Sequence, residues 1–354
     1  MNVVIAGGGT GGHVMPGLAV ARELRAAGAA VTFVGTARGL EAKLAPAAGF
    51  ELRLIRIGGL KSGSAGRRLG ALAQLPRAIG ESVGILRAAG AQAVLGIGGY
   101  ASGPALAAAA LLRIPCVVLE VNARSGLANR LAARWVRAAA VNFPETARDY
   151  PHARVEVTGI PVRAEFFAAA ERMPPEESLE PPLVLVTGGS QGAHAINAAV
   201  AAMAPEVGFR ILHQTGAADY EAVQRAYAGL GGRARAAAFV DDMAQAMGEA
   251  ALVVCRAGAS TLGELAAARR AAILIPYPAA TDQHQLRNAQ ALAAAGAARL
   301  LEQRELTPER LAGLCRELLE RPQERAAMQR AITGFAHPDA ARAIARMVLD
   351  PSTV

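Results

Sequence analysis

The sequence predicts an α/β chain of two doubly wound parallel-sheet halves, and three observations predict it. Short β-branched or apolar runs alternate with alanine-rich helical stretches, the rhythm of strands laid parallel and covered by helices on both faces. A strand, glycine turn and helix start recur in both halves, as VVIAGGGTGGH (Val3 to His13) and VLVTGGSQGAH (Val184 to His194). The length of 354 residues exceeds what one hydrophobic core usually serves.

In the first half the runs place strands near Val3, Val31, Leu52, Val94, Val117 and Val141. In the second half they fall near Val184, Arg210, Ala238, Val253 and Ile273. Between them Gly159, Pro161 and the proline- and glutamate-rich stretch Met173 to Pro182 read as a crossover and a loop. The expected domains are therefore 1–162 and 163–337, with the helix-like stretch Asp339 to Leu349, within 338–354, crossing back to pack on the first. Sheets of this kind bind ligands beyond the carboxyl ends of their strands, so the turns that follow each run are where chemistry is expected.

Composition narrows the class. Hydrophobic residues make up 53% and charged residues 19%, as in a compact globular protein. Cys116, Cys255 and Cys315 are odd in number and have no C-x-x-C spacing, which disfavours a disulfide framework or structural zinc and fits a reducing cytosol. The start runs straight into Val3 to Ala6 and the glycines, without the charged and apolar regions of a signal peptide. The apolar stretch Ala105 to Leu112 is cut by Arg113 and Pro115, too short to span a bilayer. A net charge of +8 favours anionic partners, whether nucleic acid, acidic lipid or phosphorylated ligands, without choosing among them.

Gly7, Gly9 and Gly12 satisfy G-x-G-x-x-G, the turn of a Rossmann-like dinucleotide site. That site also needs an acid near the end of the second strand to hold ribose. Here the strand ends Val34, Gly35, Thr36 and the first acid is Glu41, which counts against a nicotinamide cofactor. His13 follows the turn, at a helix start whose N–H groups attract anions. Its imidazole can accept a proton near neutral pH, or simply pack beside the turn. The second turn, Gly188 to Gly192 with Ser190, lacks the lysine of a P-loop, so triphosphate hydrolysis is disfavoured while a diphosphate still suits it.

Four more segments carry candidate chemistry. CRAGASTLGELAAA (Cys255 to Ala268) offers Glu264 to a ribose, or Thr261 and Glu264 to a capping box. LGIGGYASGP (Leu95 to Pro104) brings Tyr100 and Ser102, and LEVN (Leu119 to Asn122) brings Glu120 and Asn122, to strand ends; ordinary turn chemistry also explains their glycines and Asn122. Leu69, Leu72, Leu75, Ile79, Val83 and Leu86 fall at helical spacing beside Lys61, Arg67, Arg68, Arg77 and Arg87, a pattern for a sheet-covering helix or for docking on anionic lipid. No D-x-D or clustered His/Cys set indicates a metal, and Asp241 and Asp242 read as a helix start.

Taken together, GGTGGHVMPGLAVA, GIGGYASGP, GIPVR, GGSQGA, FVDDM, CRAGASTLGELAA and DQHQLRNA resemble the MurG family of murein N-acetylglucosaminyltransferases over nearly the whole chain. The resemblance implies a GT-B fold, two Rossmann-like domains facing a cleft. It implies inverting transfer of N-acetylglucosamine from its uridine diphosphate carrier to the C4 hydroxyl of the muramyl sugar of lipid I, giving lipid II for peptidoglycan. No metal, redox cofactor or nucleic acid enters. The implied setting is peripheral, at the cytoplasmic face of the plasma membrane, the inner membrane where there are two, on an anionic lipid surface and beside other cell-wall synthesis proteins. Cell shape, division and the cell cycle are the processes served.

By the same resemblance the donor meets the Val240 backbone at uracil, Glu264 at ribose, Ser190, Gly192 and Arg163 at phosphate, and Ala259, His284 and Gln285 at the sugar. Thr10, Gly11, Gly12 and Asn122 are expected to reach the donor from the first domain. The acceptor is expected on Gly12, His13, Tyr100, Ser102 and Asn122, with His13 as base and Glu120 as second candidate. Relatives often read HEQN and GNPVR where this chain reads LEVN and GIPVR, and Glu120, Asn122 and Arg163 are retained. Two other readings share these motifs: a UDP-N-acetylglucosamine 2-epimerase of the same fold, and a non-catalytic nucleotide-sugar-binding protein at the membrane.

Overall fold

The computed structural model describes residues 1–58, 65–171, 181–189 and 191–350, with backbone alone for 65–73. The chain forms two compact units, one from Met1–Val162 with the stretch from His337 onward, the other Arg163–Ala336. Each is built on a parallel sheet.

The first sheet has seven strands: β1 (Asn2–Ala6), β2 (Ala30–Gly35), β3 (Glu51–Leu54), β4 (Ala93–Gly96), β5 (Cys116–Glu120), β6 (Ala138–Val141) and β7 (Arg154–Val157), in the order β3-β2-β1-β4-β5-β6-β7. The central strands β4, β5 and β6 are buried along their whole length, as strands covered by helices on both faces must be. β7 was not expected from sequence. Its Arg-Val-Glu-Val alternates charge with valine because it lies at the sheet's edge, where one side meets water.

The second sheet has six strands: β8 (Leu183–Thr187), β9 (Arg210–Gln214), β10 (Ala234–Ala237), β11 (Leu252–Cys255), β12 (Ala272–Leu274) and β13 (Arg299–Leu300), in the order β10-β9-β8-β11-β12-β13. β10 ends one residue before Ala238, and the two-residue β13 is too short to give a periodic signal. In each sheet the order reverses beside its first strand, between β1 and β4 and between β8 and β11. Connections leave in opposite directions from such a point, opening a crevice at the strand ends.

The helix Ala340–Leu349 packs within the first unit, against the helix Gly11–Ala26 and β4, β5 and β6. Ile344, Met347 and Val348 are buried on its inner face, each contributing about 1.5–3 kcal/mol by leaving water. The return is set by His337, whose ring lies over the α-carbon of Gly159 (φ +72°), so closely that no side chain fits there. The helix Ala65–Ala88 covers the same sheet: Leu86 is buried and Ile79 and Val83 pack on the core. Lys61 lies outside the described residues, as do the side chains of Arg67, Arg68, Leu69 and Leu72.

Candidate active site

In the first unit two glycine loops meet backbone to backbone at the point where strand order reverses. The Gly8 N–H donates to the Gly98 carbonyl at 3.1 Å, and a Cβ on Gly7 would run into that same oxygen. Side chains are excluded because two strand ends must approach this closely. His13 stands in the first turn of the helix Gly11–Ala26, half-buried, its ring against Gly98. A Cβ on Gly98, already at φ +85°, would sit 2.9 Å from Cε1 of the imidazole. Thr10 is the exposed cap residue, its carbonyl accepting from His13 N–H and Val14 N–H at 3.2 Å each, and Gly11 and Gly12 open the helix beside it.

The first three glycines of the turn have spent their N–H groups within the protein, on the Val34 carbonyl, the Gly98 carbonyl and Glu41. Glu41, buried at the start of the helix Glu41–Ala47, turns its carboxylate into the turn and accepts from Gly9 N–H at 2.7 Å. Its other oxygen accepts from Thr36 N–H at 2.8 Å and the Thr36 hydroxyl at 3.0 Å. Gly8, Gly35 and Gly39 leave the space this carboxylate fills. An internal anion thus holds the loop, and a ligand phosphate there would meet like charge.

Glu120 is likewise committed. It is buried at the end of β5, and burial pushes its carboxyl above the ordinary range. One oxygen accepts from Asn122 N–H (3.1 Å) and the Asn122 amide (3.3 Å), the other from Gly126 N–H (2.9 Å) and Asn129 (3.1 Å). A carboxylate enclosed by four donors shapes the loop and has no path to a substrate proton, so its candidacy as base is withdrawn. Asn122 is itself nearly covered, and its carbonyl accepts from Thr146 at 3.2 Å. Ser102 also fails as an acceptor contact: it is fully buried at the start of the helix Ser102–Leu111, its hydroxyl over Gly96. Tyr100 remains exposed.

In the second unit Glu264 lies in the helix Ala259–Ala267, whose cap is Gly258. Thr261 is therefore inside the helix and makes no capping box, which removes that alternative. The Glu264 carboxylate has no hydrogen-bond partner among the described residues, while its backbone carbonyl accepts from Ala268 N–H at 2.9 Å. Burial pushes its carboxyl up to about 7, against the opposing pull of the Arg163 guanidinium and with a further push from Glu165. Arg163 itself pairs with Glu165 at 2.9 Å and lies over the Phe166 ring. Together with Asp241, Asp242 and Met243 it lines a cavity of about 390 Å³. Asp242 caps the helix Met243–Glu249, accepting from Gln245 N–H at 2.8 Å.

The turn after β8 presses on the turn after β9. Gly192 (φ +76°) has the Thr215 carbonyl against its α-carbon, and its N–H donates to the Gly189 carbonyl at 3.0 Å. Its contribution is shape, since its donor is already used. Ser190 lies outside the described residues. Ala259 is buried as the first residue of its helix. His284 donates from Nδ1 to the Thr281 carbonyl at 2.6 Å, leaving Nε2 for a ligand, while Gln285 accepts from Tyr277 N–H at 2.9 Å. Asp282 (φ +53°) and Gln283 (φ +54°) precede them in the left-handed region, a strain of about 1–3 kcal/mol each that no sequence signal announces. Glu41, Gln214 and this strained pair are what sequence reasoning missed. Among the described residues no three His, Cys, Asp or Glu side chains group to hold a metal ion.

Two doubly wound parallel sheets, each with glycine loops at its reversal point, make the GT-B arrangement. Residues 3–141 match the glycosyltransferase family 28 N-terminal domain and residues 183–344 its C-terminal domain. The chain is 46% identical to a UDP-N-acetylglucosamine–N-acetylmuramyl-(pentapeptide) pyrophosphoryl-undecaprenol N-acetylglucosamine transferase of Anaeromyxobacter dehalogenans (strain 2CP-1), over 99% of this chain and 93% of that one. The crystal structure of Acinetobacter baumannii MurG superposes with a TM-score of 0.83 at 32% identity, covering 98% of this chain and 99% of the other. This chain belongs to that family of N-acetylglucosamine transferases. A UDP-GlcNAc 2-epimerase from Neisseria meningitidis, bound to UDP-GlcNAc, shares the fold alone (TM-score 0.69, 14% identity, 99% of this chain and 100% of that one).

The contact of His13 with Gly98 yields a test. Gly98→Ala is expected to lower kcat for transfer about 100-fold by displacing the imidazole on the order of 1 Å, with the KM for the nucleotide-sugar donor little changed. Steady-state kinetics with both substrates varied would show it, and an unchanged kcat would contradict the placement.

Proposed function

We propose that the chain transfers N-acetylglucosamine from UDP-N-acetylglucosamine to the C4 hydroxyl of the muramyl sugar of lipid I, forming lipid II, with inversion and without a metal. The observation that carries this reading is the 46% identity across both units to a lipid-linked muramyl-pentapeptide transferase, against 14% to an epimerase of like fold. The epimerase alternative rests on fold alone, and a binding protein without turnover has no particular observation in its favour.

In the proposed reaction His13 takes the proton of the C4 hydroxyl as its oxygen bonds to the anomeric carbon. The bond from that carbon to the diphosphate oxygen breaks in the same displacement, and its electron pair leaves on UDP. A single displacement from the opposite face inverts the centre. Arg163, half-exposed and paired with the half-exposed Glu165 carboxylate, is free to turn toward the leaving diphosphate, which Ser190 would also hold. Glu264, half-buried and with a carboxylate that has no hydrogen-bond partner among the described residues, suits the two hydroxyls of a ribose. Val240 would meet uracil, and Ala259, His284 and Gln285 the sugar. Gly12 and Tyr100 would receive the acceptor and Thr10 and Gly11 the donor, with Asn122 shaping its loop.

The membrane face is proposed on the first unit. Leu111, Leu131 and Trp135 are exposed, beside Arg113, Arg130 and Arg134, a mixture that suits anionic lipid. Among the described residues no helix is long and apolar enough to cross a membrane. A peripheral enzyme at the cytoplasmic face would meet lipid I there and serve wall growth, cell shape and division, in company with other wall-synthesis proteins.

Purified protein incubated with labelled UDP-N-acetylglucosamine and a lipid I analogue in EDTA should yield the disaccharide lipid, with His13→Ala slower by about 100-fold or more. No product, or a strict need for metal, would refute the reading, and a His13 variant near wild-type rate would refute the assigned base. The raised Glu264 carboxyl gives a pH test whose sign is fixed. The ionised form accepts the ribose hydroxyls, so as pH falls below about 7 the group protonates and the KM for donor should climb, while Glu264→Gln flattens that profile. Sedimentation with vesicles should capture the wild type on phosphatidylglycerol-containing lipid and lose about tenfold in affinity on Trp135→Ser with Arg134→Ser; equal binding would remove this face.

A further inference from the structure

Gln214 ends β9, nearly fully buried, between its register partners Thr187 at the end of β8 and Ala237 at the end of β10. Its amide spans the two neighbouring strand exits. Nε2 donates to the Thr187 hydroxyl at 3.1 Å and to the Gly189 carbonyl at 3.2 Å, while Oε1 accepts from Val240 N–H at 2.9 Å. The orientation is forced, because a backbone N–H can meet only the oxygen and a backbone carbonyl only the NH₂ group. The Thr187 hydroxyl accepts in turn from Gly189 N–H at 3.1 Å. One side chain therefore ties the start of the glycine turn after β8 to the segment after β10.

We infer that Gln214 is a positioning residue that sets the separation between the base-reading Val240 and the diphosphate-holding turn, and so selects a uridine diphosphate as one unit. This rests on the donor site proposed above. The same bond consumes the Val240 N–H, while the Val240 carbonyl accepts no hydrogen bond among the described residues. What Val240 presents to a base is thus an acceptor. It accepts the N3–H of uracil and repels the N3 lone pair of cytosine, so losing the Gln214 tether frees an N–H that suits cytosine equally well.

Gln214→Met keeps length and apolar volume and removes all three hydrogen bonds. Gln214→Glu keeps the oxygen that faces Val240 and loses the donor that faces Gly189. Calorimetric titration of the full chain with UDP and with CDP separates the effects. Wild type is expected to bind UDP at least about tenfold tighter than CDP. The Met variant should bind UDP about tenfold more weakly with the UDP to CDP ratio collapsed toward one; the Glu variant should weaken UDP by about fivefold and keep the ratio. Simple structural damage would weaken both nucleotides alike and leave the ratio standing, which overturns the inference. Unchanged UDP affinity in the Glu variant overturns it too, and that arm decides if the Met variant has no cooperative melt. A wild type that binds no UDP overturns the donor site itself, an outcome distinct from wild-type binding with unaltered variants.

Discussion

A parallel sheet ends in a row of backbone N–H and C=O groups that no further strand satisfies, and burying them unpaired costs about 1–3 kcal/mol apiece. At the strand ends where these two units are built to act, the groups are met by three buried side chains. Glu41 holds the loops after β1 and β2, Glu120 the loop after β5, and Gln214 the exits of β8 and β10. The geometry of everything nearby depends on them. With Glu41 in place the turn after β1 can lie on the glycine loop after β4, and His13 can lie on Gly98.

This divides the loops into groups that hold and groups that reach. The holding groups are enclosed, acidic or amide side chains with their hydrogen-bonding capacity spent inside the protein. The reaching groups are left with something to offer: the guanidinium of Arg163, the carboxylate of Glu264, Nε2 of His284. A carboxylate illustrates both fates. Glu120 accepts four hydrogen bonds and is closed to solvent, while the Glu264 carboxylate accepts none among the described residues and is pushed toward neutrality chiefly by desolvation. Motif position does not distinguish them; donors in the surrounding fold do.

That distinction marks how far the sequence could be read. Eleven of the strands announce themselves, the interior ones because burial on both faces demands apolar runs, and the glycine turns because close backbone contact excludes a Cβ. β7 and β13 escape, the first because an edge strand tolerates Arg154 and Glu156, the second because two residues carry no period. Glu41 was visible only as an acid in the wrong place for a nicotinamide site. Its partner Gly9 lies 32 residues away, a contact that only tertiary folding creates. Ser102 and Glu120 looked like site residues because motif and turn chemistry coincide at a strand end, and burial alone separates them. Thr261 looked like a cap because its spacing to Glu264 fits one, yet the helix begins two residues earlier, at Ala259.

The central claim is that the site loops are held from within before any substrate arrives. Amide hydrogen exchange, followed by NMR on the ligand-free protein, addresses it residue by residue, since protection reports the hydrogen bonds that survive local opening. The N–H groups of Gly9, Thr36, Asn122, Gly126 and Val240 should exchange as slowly as those of the adjoining strands, although all five lie in loops. Exchange at the rate of an open loop, with protection appearing only when UDP or acceptor is added, would contradict it.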